Sequence, residues 1–138
     1  MVGRRGFACS VGTTFVSAPR TTGVQANKVA GDAVRDLIAA REAPALTERT
    51  FTTVGGVRRI DVLKLGDELV GIESKVGRTA LDSRVRQELA RDWWLRRQGQ
   101  VDRVIWEFTP SGTTGVGGPT APLLDKLQKL GFDVRVNP

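Results

Sequence analysis

Arg59-Ile60-Asp61-Val62-Leu63 and Ile72-Glu73-Ser74-Lys75 are the two stretches that decide the fold of this chain. Each stretch has the composition of a β-strand. Side chains alternate between the two faces of a strand, so Glu73 and Lys75 project to the same side. A hairpin brings Asp61, which eleven residues separate from Glu73, alongside them. The sequence therefore predicts two carboxylates and a lysine on one face of a β-sheet.

The residues around these charges are strongly apolar. Strands that are apolar on both faces are usually central and covered, and a charge there needs a partner or a metal. Carboxylates suit a divalent cation such as Mg²⁺, and a neighbouring lysine can activate water or stabilise a developing charge. The alternative is the solvated face of an amphipathic hairpin, which is the commoner setting for charges on strands. The apolar flanks are Ile60, Val62 and Leu63 on one strand and Leu69, Val70 and Ile72 on the other.

Composition excludes most other kinds of catalytic site. The 138 residues are enough for one domain, and 40% hydrophobic and 26% charged residues are ordinary for a globular protein. The chain has no histidine, no tyrosine and a single cysteine, which removes Ser-His and Cys-His catalysis, the usual zinc sites and an internal disulfide. No apolar run approaches the roughly 18 residues of a membrane span, and the N-terminus is too polar for a signal peptide.

The net charge of +6 suggests a polyanionic partner such as nucleic acid. Its distribution along the chain is uneven. Residues 1–30 hold four basic residues and no acid, and the other residues hold 17 basic and 15 acidic ones, a net charge of +2. A binding face in the main part of the chain must therefore come from local clusters of basic residues.

The first long periodic segment predicts a helix over residues 27–41, with Asn27 as its N-cap and Pro44 marking its end. Asp32 and Asp36, four residues apart, share one face of this helix. Another face carries apolar residues at i, i+4, i+8 and i+11, and we predict that it packs on the core. This apolar stripe consists of Val29, Ala33, Leu37 and Ala40.

The chain as a whole predicts an α/β (α+β) fold of the order α-β-β-β-α-β-α-β, in which a mixed sheet is flanked by helices on both faces. Residues 1–25 are expected to form a flexible leader or linker before a domain over residues 26–138. Strands over 46–54, 57–65 and 68–75 form an antiparallel meander, with Gly55-Gly56 as the first turn. A helix over 82–98 follows, and its core stripe consists of Leu81, Val85, Leu89 and Trp93. We then expect a strand over 101–108, a loop over 109–121, a helix over 122–130 and a strand over 132–136. Leu123 and Leu127 belong to the core face of the last helix.

The charged residues of the hairpin resemble the core of the PD-(D/E)XK nuclease superfamily. The resemblance lies in Asp61, a short spacer and Glu73-x-Lys75 on consecutive strands, which follow a helix that carries acidic residues. The resemblance covers roughly residues 27–136, includes the element order and implies a restriction-endonuclease-like core. Ile60 stands where the name-giving proline would be. The chain also resembles C-terminal nuclease toxin domains of bacterial polymorphic toxins, including contact-dependent inhibition and Rhs-type proteins. The supporting stretches are Ala30-Gly31-Asp32-Ala33, Glu73-Ser74-Lys75-Val76-Gly77-Arg78-Thr79, Gly99-Gln100-Val101-Asp102 and Gly118-Pro119-Thr120.

The resemblance implies a metal site and a set of catalytic roles. Asp61 and Glu73 would ligate Mg²⁺, with Mn²⁺ or Zn²⁺ as alternatives, and the backbone carbonyl of Ser74 would be a further ligand. Lys75 would orient or deprotonate the attacking water, or stabilise the charge on the phosphate. An acid on the first helix would point at the metal. Asp32 is our first choice for this acid and Asp36 the second, and an ordinary exposed helix face explains either residue equally well.

The same resemblance suggests which residues contact the substrate. Gln87 would lie near the scissile phosphate, although a solvated helix face is an equal alternative for it. Trp94 could stack on a base, but core packing is the favoured interpretation, and Trp93 is expected to be buried. The predicted phosphate contacts are Arg78 after the catalytic strand, Arg84 and Arg91 on the face of Gln87, and Arg59 beside Asp61.

These predictions converge on a metal-dependent nuclease toxin domain that cuts phosphodiester bonds, with DNA slightly favoured over tRNA or other RNA. The resemblance implies an acidic cognate immunity protein, a larger carrier from which this domain is the C-terminal part, and delivery into the cytoplasm of a target bacterium. Two alternatives stay open. One is a non-catalytic nucleic-acid-binding module with a degenerate site, and the other is an interaction domain whose charged face binds an acidic partner.

Overall fold

The computed structural model describes residues 23–138, which form three helices and seven strands. Helix α1 (Gly23–Arg41) precedes strands β1 (Ala45–Thr53), β2 (Gly56–Lys64) and β3 (Val70–Val76). A two-residue strand, β4 (Arg78–Thr79), leads into helix α2 (Ser83–Arg97). The chain continues with β5 (Arg103–Thr109), the two-residue β6 (Gly118–Pro119), helix α3 (Ala121–Lys129) and β7 (Asp133–Val136). Among these helices none combines the length and apolar composition needed to cross a membrane.

The main sheet is mixed, as predicted, with the strand order β1-β2-β3-β5-β7. Strands β1, β2 and β3 pair antiparallel, whereas β3, β5 and β7 pair parallel. Strands β4 and β6 form a separate parallel pair that ties the end of β3 to the segment before α3. Because β2 and β3 have neighbours on both sides, the apolar flanks of their charged residues are explained by a central position in the sheet.

Helices cover both faces of this sheet. Helix α1 packs on one face through a small cluster that contains Ile38, Val62 and Ile72. Helices α2 and α3 pack on the other face, where the larger core includes the fully buried Leu123 and Leu127 that were predicted for α3. Side chains of the central strands therefore reach solvent only where strands end or separate.

Helix α1 begins earlier than predicted. It starts at Gly23, so Asn27 lies inside the helix and is not its N-cap. Residues 23–25, which were predicted to lie in the leader, are helical. The rest of the predicted leader lies outside the described residues.

The buried face of α1 is also different from the predicted one. Val34 and Ile38 pack toward the sheet. Leu37, in the predicted stripe, is 70% exposed. The helix has two apolar stripes of similar strength, and docking of its C-terminal half on the sheet selects one of them. All members of the predicted stripe are exposed: Val29, Ala33, Leu37 and Ala40.

The inner face of α2 carries a charged residue. Val85 and Leu89 are buried as predicted, but Asp92 is buried beside them with 0% exposure. Trp93 was predicted to continue the core stripe and is instead 40% exposed, whereas the half-buried Trp94 packs against the core. The sequence pattern gave Trp93 the inner position because an aspartate is rarely buried.

The turn between β1 and β2 lies one residue earlier than predicted. Thr53 pairs with Gly56, so Val54 and Gly55 form the two-residue turn. Gly56 has a φ of +119°, a conformation that residues with a side chain rarely adopt, and this explains the glycine there.

Candidate active site

The predicted site lies where strands β2 and β3 separate. Their backbone pairing stops at Val62 and Ile72. Asp61, the next residue of β2, accepts a hydrogen bond from the Ser74 N–H through its carboxylate at 2.9 Å. A side chain thus replaces the backbone ladder, and the two strands form a fork whose opening holds Asp61.

The pairing of β2 with β1, on its other edge, is also interrupted at Asp61. Strands β1 and β2 pair on both sides of Glu48 and Asp61 but not at that pair, and Glu48 has a positive φ of 53°. The alternation of side chains breaks here, because Ile60 packs in the core beneath α2 and Val62 packs beneath α1. Asp61 lines a cavity on each side of the fork.

The larger of these two cavities, about 540 Å³ in volume, brings most of the predicted site together. It lies between the fork and one flank of helix α2. Four of its lining residues were not predicted: Thr50, Val57, Arg58 and Glu88. The predicted residues that line it are Arg59, Asp61, Glu73, Ser74, Lys75, Arg84, Gln87 and Arg91.

Glu73 and Lys75 project to the same face of β3 and form an ion pair. The Lys75 Nζ lies 3.0 Å from Glu73 Oε2 and 2.7 Å from Glu88 Oε1, and it lies 5.3 Å from the centre of the Trp106 ring. Burial alone would lower the pKa of Lys75, but the two carboxylates raise it above its usual value of 10.5. The lysine is therefore a cation at neutral pH.

Asp61 differs from the buried acids Glu73 and Asp92 in its surroundings. Between residues 23 and 138, no cationic side chain lies within 4 Å of its carboxylate. Burial, and then the negative charge of Glu73, raise its pKa to about 7. Asp61 is thus a half-buried carboxylate whose charge is only partly compensated.

Sequence reasoning missed a buried ion network behind the cavity. Arg58 donates from Nε to Asp92 Oδ1 at 2.6 Å and from Nη2 to Glu73 Oε1 at 2.8 Å. Glu88 lies 3.8 Å from Arg58 as well as bonding to Lys75. Two signals were present in the sequence: Arg58 has the strand parity of the buried Ile60, and Glu88 and Asp92 follow Val85 at i+3 and i+7.

The connected charges of this region do not balance. Three carboxylates contact Arg58 or Lys75, and Asp61 lies beside them without a cationic contact, so four carboxylates and two cations give a formal charge of −2. Burial raises the pKa of Asp92 to about 6 despite its contact with Arg58. We call this group the site cluster, and it consists of Asp61, Glu73, Glu88, Asp92, Arg58 and Lys75.

The two acids predicted on the first helix occupy different places. Asp32 forms ion pairs with Lys28 and Arg35, and it lines the smaller cavity, about 170 Å³ in volume, together with Asp61. Hydrogen bonding to Lys28 lowers the pKa of Asp32. Asp36 pairs with Arg35 and lines neither cavity, so the structure brings only Asp32 near the fork.

The predicted substrate contacts also separate into groups. Arg84, Gln87 and Arg59 are exposed at the rim of the larger cavity. Arg91 lines the cavity but donates to the carbonyl oxygens of residues 55 and 57, so it braces the β1–β2 hairpin. Arg78 lines a different cavity, about 640 Å³ in volume, beside the loop over residues 111–116. Trp94, the remaining prediction, packs on the core and lines neither cavity at the fork.

The donor set suits a hard cation that keeps part of its water shell. Across residues 23–138, no three acidic or cysteine side chains converge as a ready-made metal site. Asp61 and Glu73 supply two carboxylates at the fork. Ser74 lies beside them, and its buried Oγ has no hydrogen-bond partner. Two carboxylates, a backbone carbonyl and waters are a typical environment for Mg²⁺.

No family model, curated protein or solved structure matches this chain. The membership of the PD-(D/E)XK superfamily therefore remains a prediction from Asp61, Glu73, Lys75 and the element order. What the site does has to follow from its geometry and its charges.

Proposed function

We propose that this domain is a metal-dependent nuclease with a restriction-endonuclease-like core, which hydrolyses phosphodiester bonds. The observation that carries the proposal is the formal charge of −2 on the site cluster. Buried charges without partners are unfavourable. A divalent cation would balance this cluster, and the cavity in front of it is open to solvent and rimmed by arginines.

Asp61 and Glu73 would hold the cation, together with the backbone carbonyl of Ser74. In an extended strand the N–H and C=O of one residue point to the same edge, and the Ser74 N–H donates to Asp61. Mg²⁺ suits this oxygen set best, Mn²⁺ is similar, and Zn²⁺ fits least because it favours nitrogen and sulfur ligands. The cation would polarise the phosphate and make a water molecule more acidic.

Lys75 would supply the protein's own positive charge at the reaction centre. The ammonium is held 3.0 Å from Glu73 and remains protonated, so it stabilises charge developing on the phosphate and does not act as a base. Arg59, Arg84 and Gln87 at the rim would bind neighbouring phosphates of the nucleic acid. Asp32 would assist from the smaller cavity on the other side of Asp61.

We favour DNA as the substrate, with tRNA as the alternative for the same site. The wider setting follows from the resemblance to polymorphic toxins: a larger carrier, delivery into a competing bacterium, and an acidic immunity protein that protects the producer. Each of these partners is a proposal that the nuclease activity would have to support first.

The second candidate is a nucleic-acid-binding module without catalysis. It is favoured by one specific observation, which is that Glu73 and Lys75 are already satisfied by one another and by Arg58 and Glu88. In that case the rim arginines would bind phosphates, and the buried network would only support the fold. The two candidates differ in their dependence on a divalent cation.

Incubation of the purified protein with plasmid DNA and with total tRNA, each with Mg²⁺, Mn²⁺, Zn²⁺ or EDTA, separates the candidates. We expect cleavage of one substrate with Mg²⁺ or Mn²⁺ and none with EDTA. The Asp61→Asn variant is expected to lose this cleavage. Binding of nucleic acid that is unaffected by EDTA, without any cleavage, would favour the second candidate.

Asp36→Asn is the matched control for Asp61→Asn. Both variants lose one carboxylate and both keep the shape of the side chain. Asp36 is exposed on α1, is paired with Arg35 and lies outside both cavities at the fork. Full activity of the Asp36 variant beside an inactive Asp61 variant would assign the effect to the site.

A further inference from the structure

Arg58 has more hydrogen bonds than any other side chain of the site cluster, and the proposed chemistry does not use it. Its Nε and Nη2 donate to the two carboxylate oxygens of Asp92 at 2.6 and 3.1 Å. Nη2 also donates to Glu73 Oε1 at 2.8 Å, and Nη1 donates to the Arg59 carbonyl at 2.8 Å. With 5% exposure and four hydrogen bonds from its five N–H groups, Arg58 is committed to this network, although it lines the cavity.

Asp92 anchors this guanidinium from the core side. Its carboxylate has 0% exposure and accepts a further hydrogen bond from Trp106 Nε1 at 3.1 Å. Trp106 is itself fully buried in the larger core. A planar guanidinium held on a carboxylate through two parallel hydrogen bonds has a fixed orientation. The direction of the Arg58 Nη2 group toward Glu73 is therefore set by the core.

The two oxygens of Glu73 have different partners as a result. Oε1 accepts from Arg58, and Oε2 faces Lys75 at 3.0 Å. We propose that Arg58, anchored by Asp92, is a positioning residue that holds Oε1 of Glu73, so that a cation at the fork would bind through Oε2, beside Lys75. The inference rests on the proposed metal site, and it concerns how this chain presents one of its ligands.

This role has a consequence that a purely structural role lacks. Arg58 competes with a bound cation for Glu73, both through its hydrogen bond and through its positive charge. Removal of Arg58 would free the second oxygen and remove the competing charge. Binding of a divalent cation should then become tighter, whereas loss of a structural support would weaken binding or leave it unchanged.

The test uses the double variant Arg58→Gln/Asp92→Asn, which removes one positive and one negative charge and keeps an acceptor oxygen for Trp106. Titration calorimetry with MnCl₂ on the metal-free protein measures the affinity directly. We expect the Kd for Mn²⁺ to fall about tenfold relative to the wild type. Adding Glu73→Gln to the double variant should abolish the gain. An unchanged or higher Kd in a folded double variant, or no Mn²⁺ binding by either protein, overturns the inference.

Arg91→Gln is the matched control, because Arg91 lines the same cavity but donates to backbone carbonyls and not to Glu73. Its Kd should stay within about twofold of the wild-type value, and an equal tightening would assign the effect to the general charge of the cavity and overturn the inference. If the double variant does not fold, Arg58→Lys keeps the charge but cannot bridge Asp92 and Glu73, and an unchanged Kd for Mn²⁺ in that variant also overturns it. Failure of the proposed function is recognised separately, as Mn²⁺ binding without cleavage of DNA or RNA.

Discussion

Two clusters of charged residues lie on opposite faces of the same sheet, and they differ in charge balance. The site cluster on the α2 face has four carboxylates and two cations. On the α1 face, two carboxylates meet three cations, and Glu107 is held by two hydrogen bonds from Arg41 at 2.7 and 2.9 Å. We call this second group the α1 cluster, and it consists of Glu42, Glu107, Arg41, Lys64 and Arg135.

The pKa values of the acids follow this difference. Hydrogen bonds from Arg41, above all, lower the pKa of Glu107. Burial alone would raise the pKa of Glu42, but its cationic partners lower it to about 2. In the site cluster the pKa of Asp61 is raised to about 7, chiefly by burial. In the α1 cluster each carboxylate contacts at least two cations, whereas the site cluster has an excess of negative charge that a divalent cation would balance.

The largest expected effect separates the clusters by activity. Glu73 on β3 and Glu107 on β5 are buried glutamates on adjacent paired strands, one in each cluster. Glu73→Gln should lower kcat for phosphodiester cleavage by roughly a thousandfold, because a ligand of the cation loses its charge. Glu107→Gln should retain activity per folded molecule within about threefold. Equal activity of the two variants would contradict the assignment of catalysis to the site cluster and not to the α1 cluster.

The same pair of variants separates the clusters by stability. Glu107→Gln leaves Arg41 and Arg135, which are nearly half exposed, with Glu42 as their remaining carboxylate partner, so the free energy of unfolding should fall by roughly 1–2 kcal/mol. Urea unfolding followed by tryptophan fluorescence gives this value. Glu73→Gln, which relieves a cluster with excess negative charge, should cost less than Glu107→Gln. A larger loss for Glu73→Gln would contradict the difference in balance.

The pH dependence of stability should have opposite signs in the two clusters. In the metal-free protein, Asp61 has a pKa above its usual value of 3.8, so the folded state binds its proton more tightly than the unfolded state. Its contribution therefore makes the free energy of unfolding fall as pH rises from about 4 to about 7. Glu42 has a pKa below its usual value of 4.5, so its contribution is present above about 4.5 and is lost as pH falls toward 2.

Asp61→Asn tests whether Asp61 causes the predicted loss of stability as pH rises. The variant should be more stable than the metal-free wild type at pH 7.5 by roughly 1–3 kcal/mol, and it should lose most of the slope between about pH 4 and 7. The groups that face Asp61 and could modify the slope are Glu73, Arg58 and Lys75. Thermal unfolding across the pH range measures the effect. A destabilised Asp61→Asn variant with an unchanged slope would show that the carboxylate is already compensated.

The smallest predicted effect concerns the rim of the cavity. Arg84→Gln should raise KM for nucleic acid by about fivefold at low salt with little change in kcat, because the residue would contact phosphates outside the reaction centre. The difference should shrink as salt increases. Arg49→Gln, an exposed arginine on β1 that does not line the cavity, is the matched control. A fall in kcat alone for Arg84→Gln would place this residue at the scissile phosphate.

Sequence patterns could predict that Asp61, Glu73 and Lys75 lie together, because their placement depends on the local geometry of strands and hairpins. Strand alternation puts Glu73 and Lys75 on one face, and a short hairpin brings Asp61 beside them. Helical spacing places Arg84 and Gln87 on one flank of α2, and the structure directs that flank to the same cavity.

The buried pair Arg58 and Asp92 could not be predicted, because it forms between residues that are far apart in the sequence. Arg58 and Asp92 are 34 residues apart, and each alone has the ordinary pattern of a solvated charge. Their burial becomes understandable only when α2 is docked on β2, so Trp93 was given the inner position that Asp92 occupies. The buried face of α1 was wrong for a related reason, since its two apolar stripes differ only in which one meets the sheet.

The stoichiometry of Mn²⁺ binding to the metal-free protein tests the central claim most directly. Titration calorimetry of the wild type, Asp61→Asn and Glu107→Gln should show one ion per chain for the wild type and for Glu107→Gln. Asp61→Asn should bind at least tenfold more weakly, because the cation would lose its uncompensated carboxylate. Equal binding by the wild type and Asp61→Asn, or no binding by the wild type, would contradict the assignment of the site cluster as a divalent cation site.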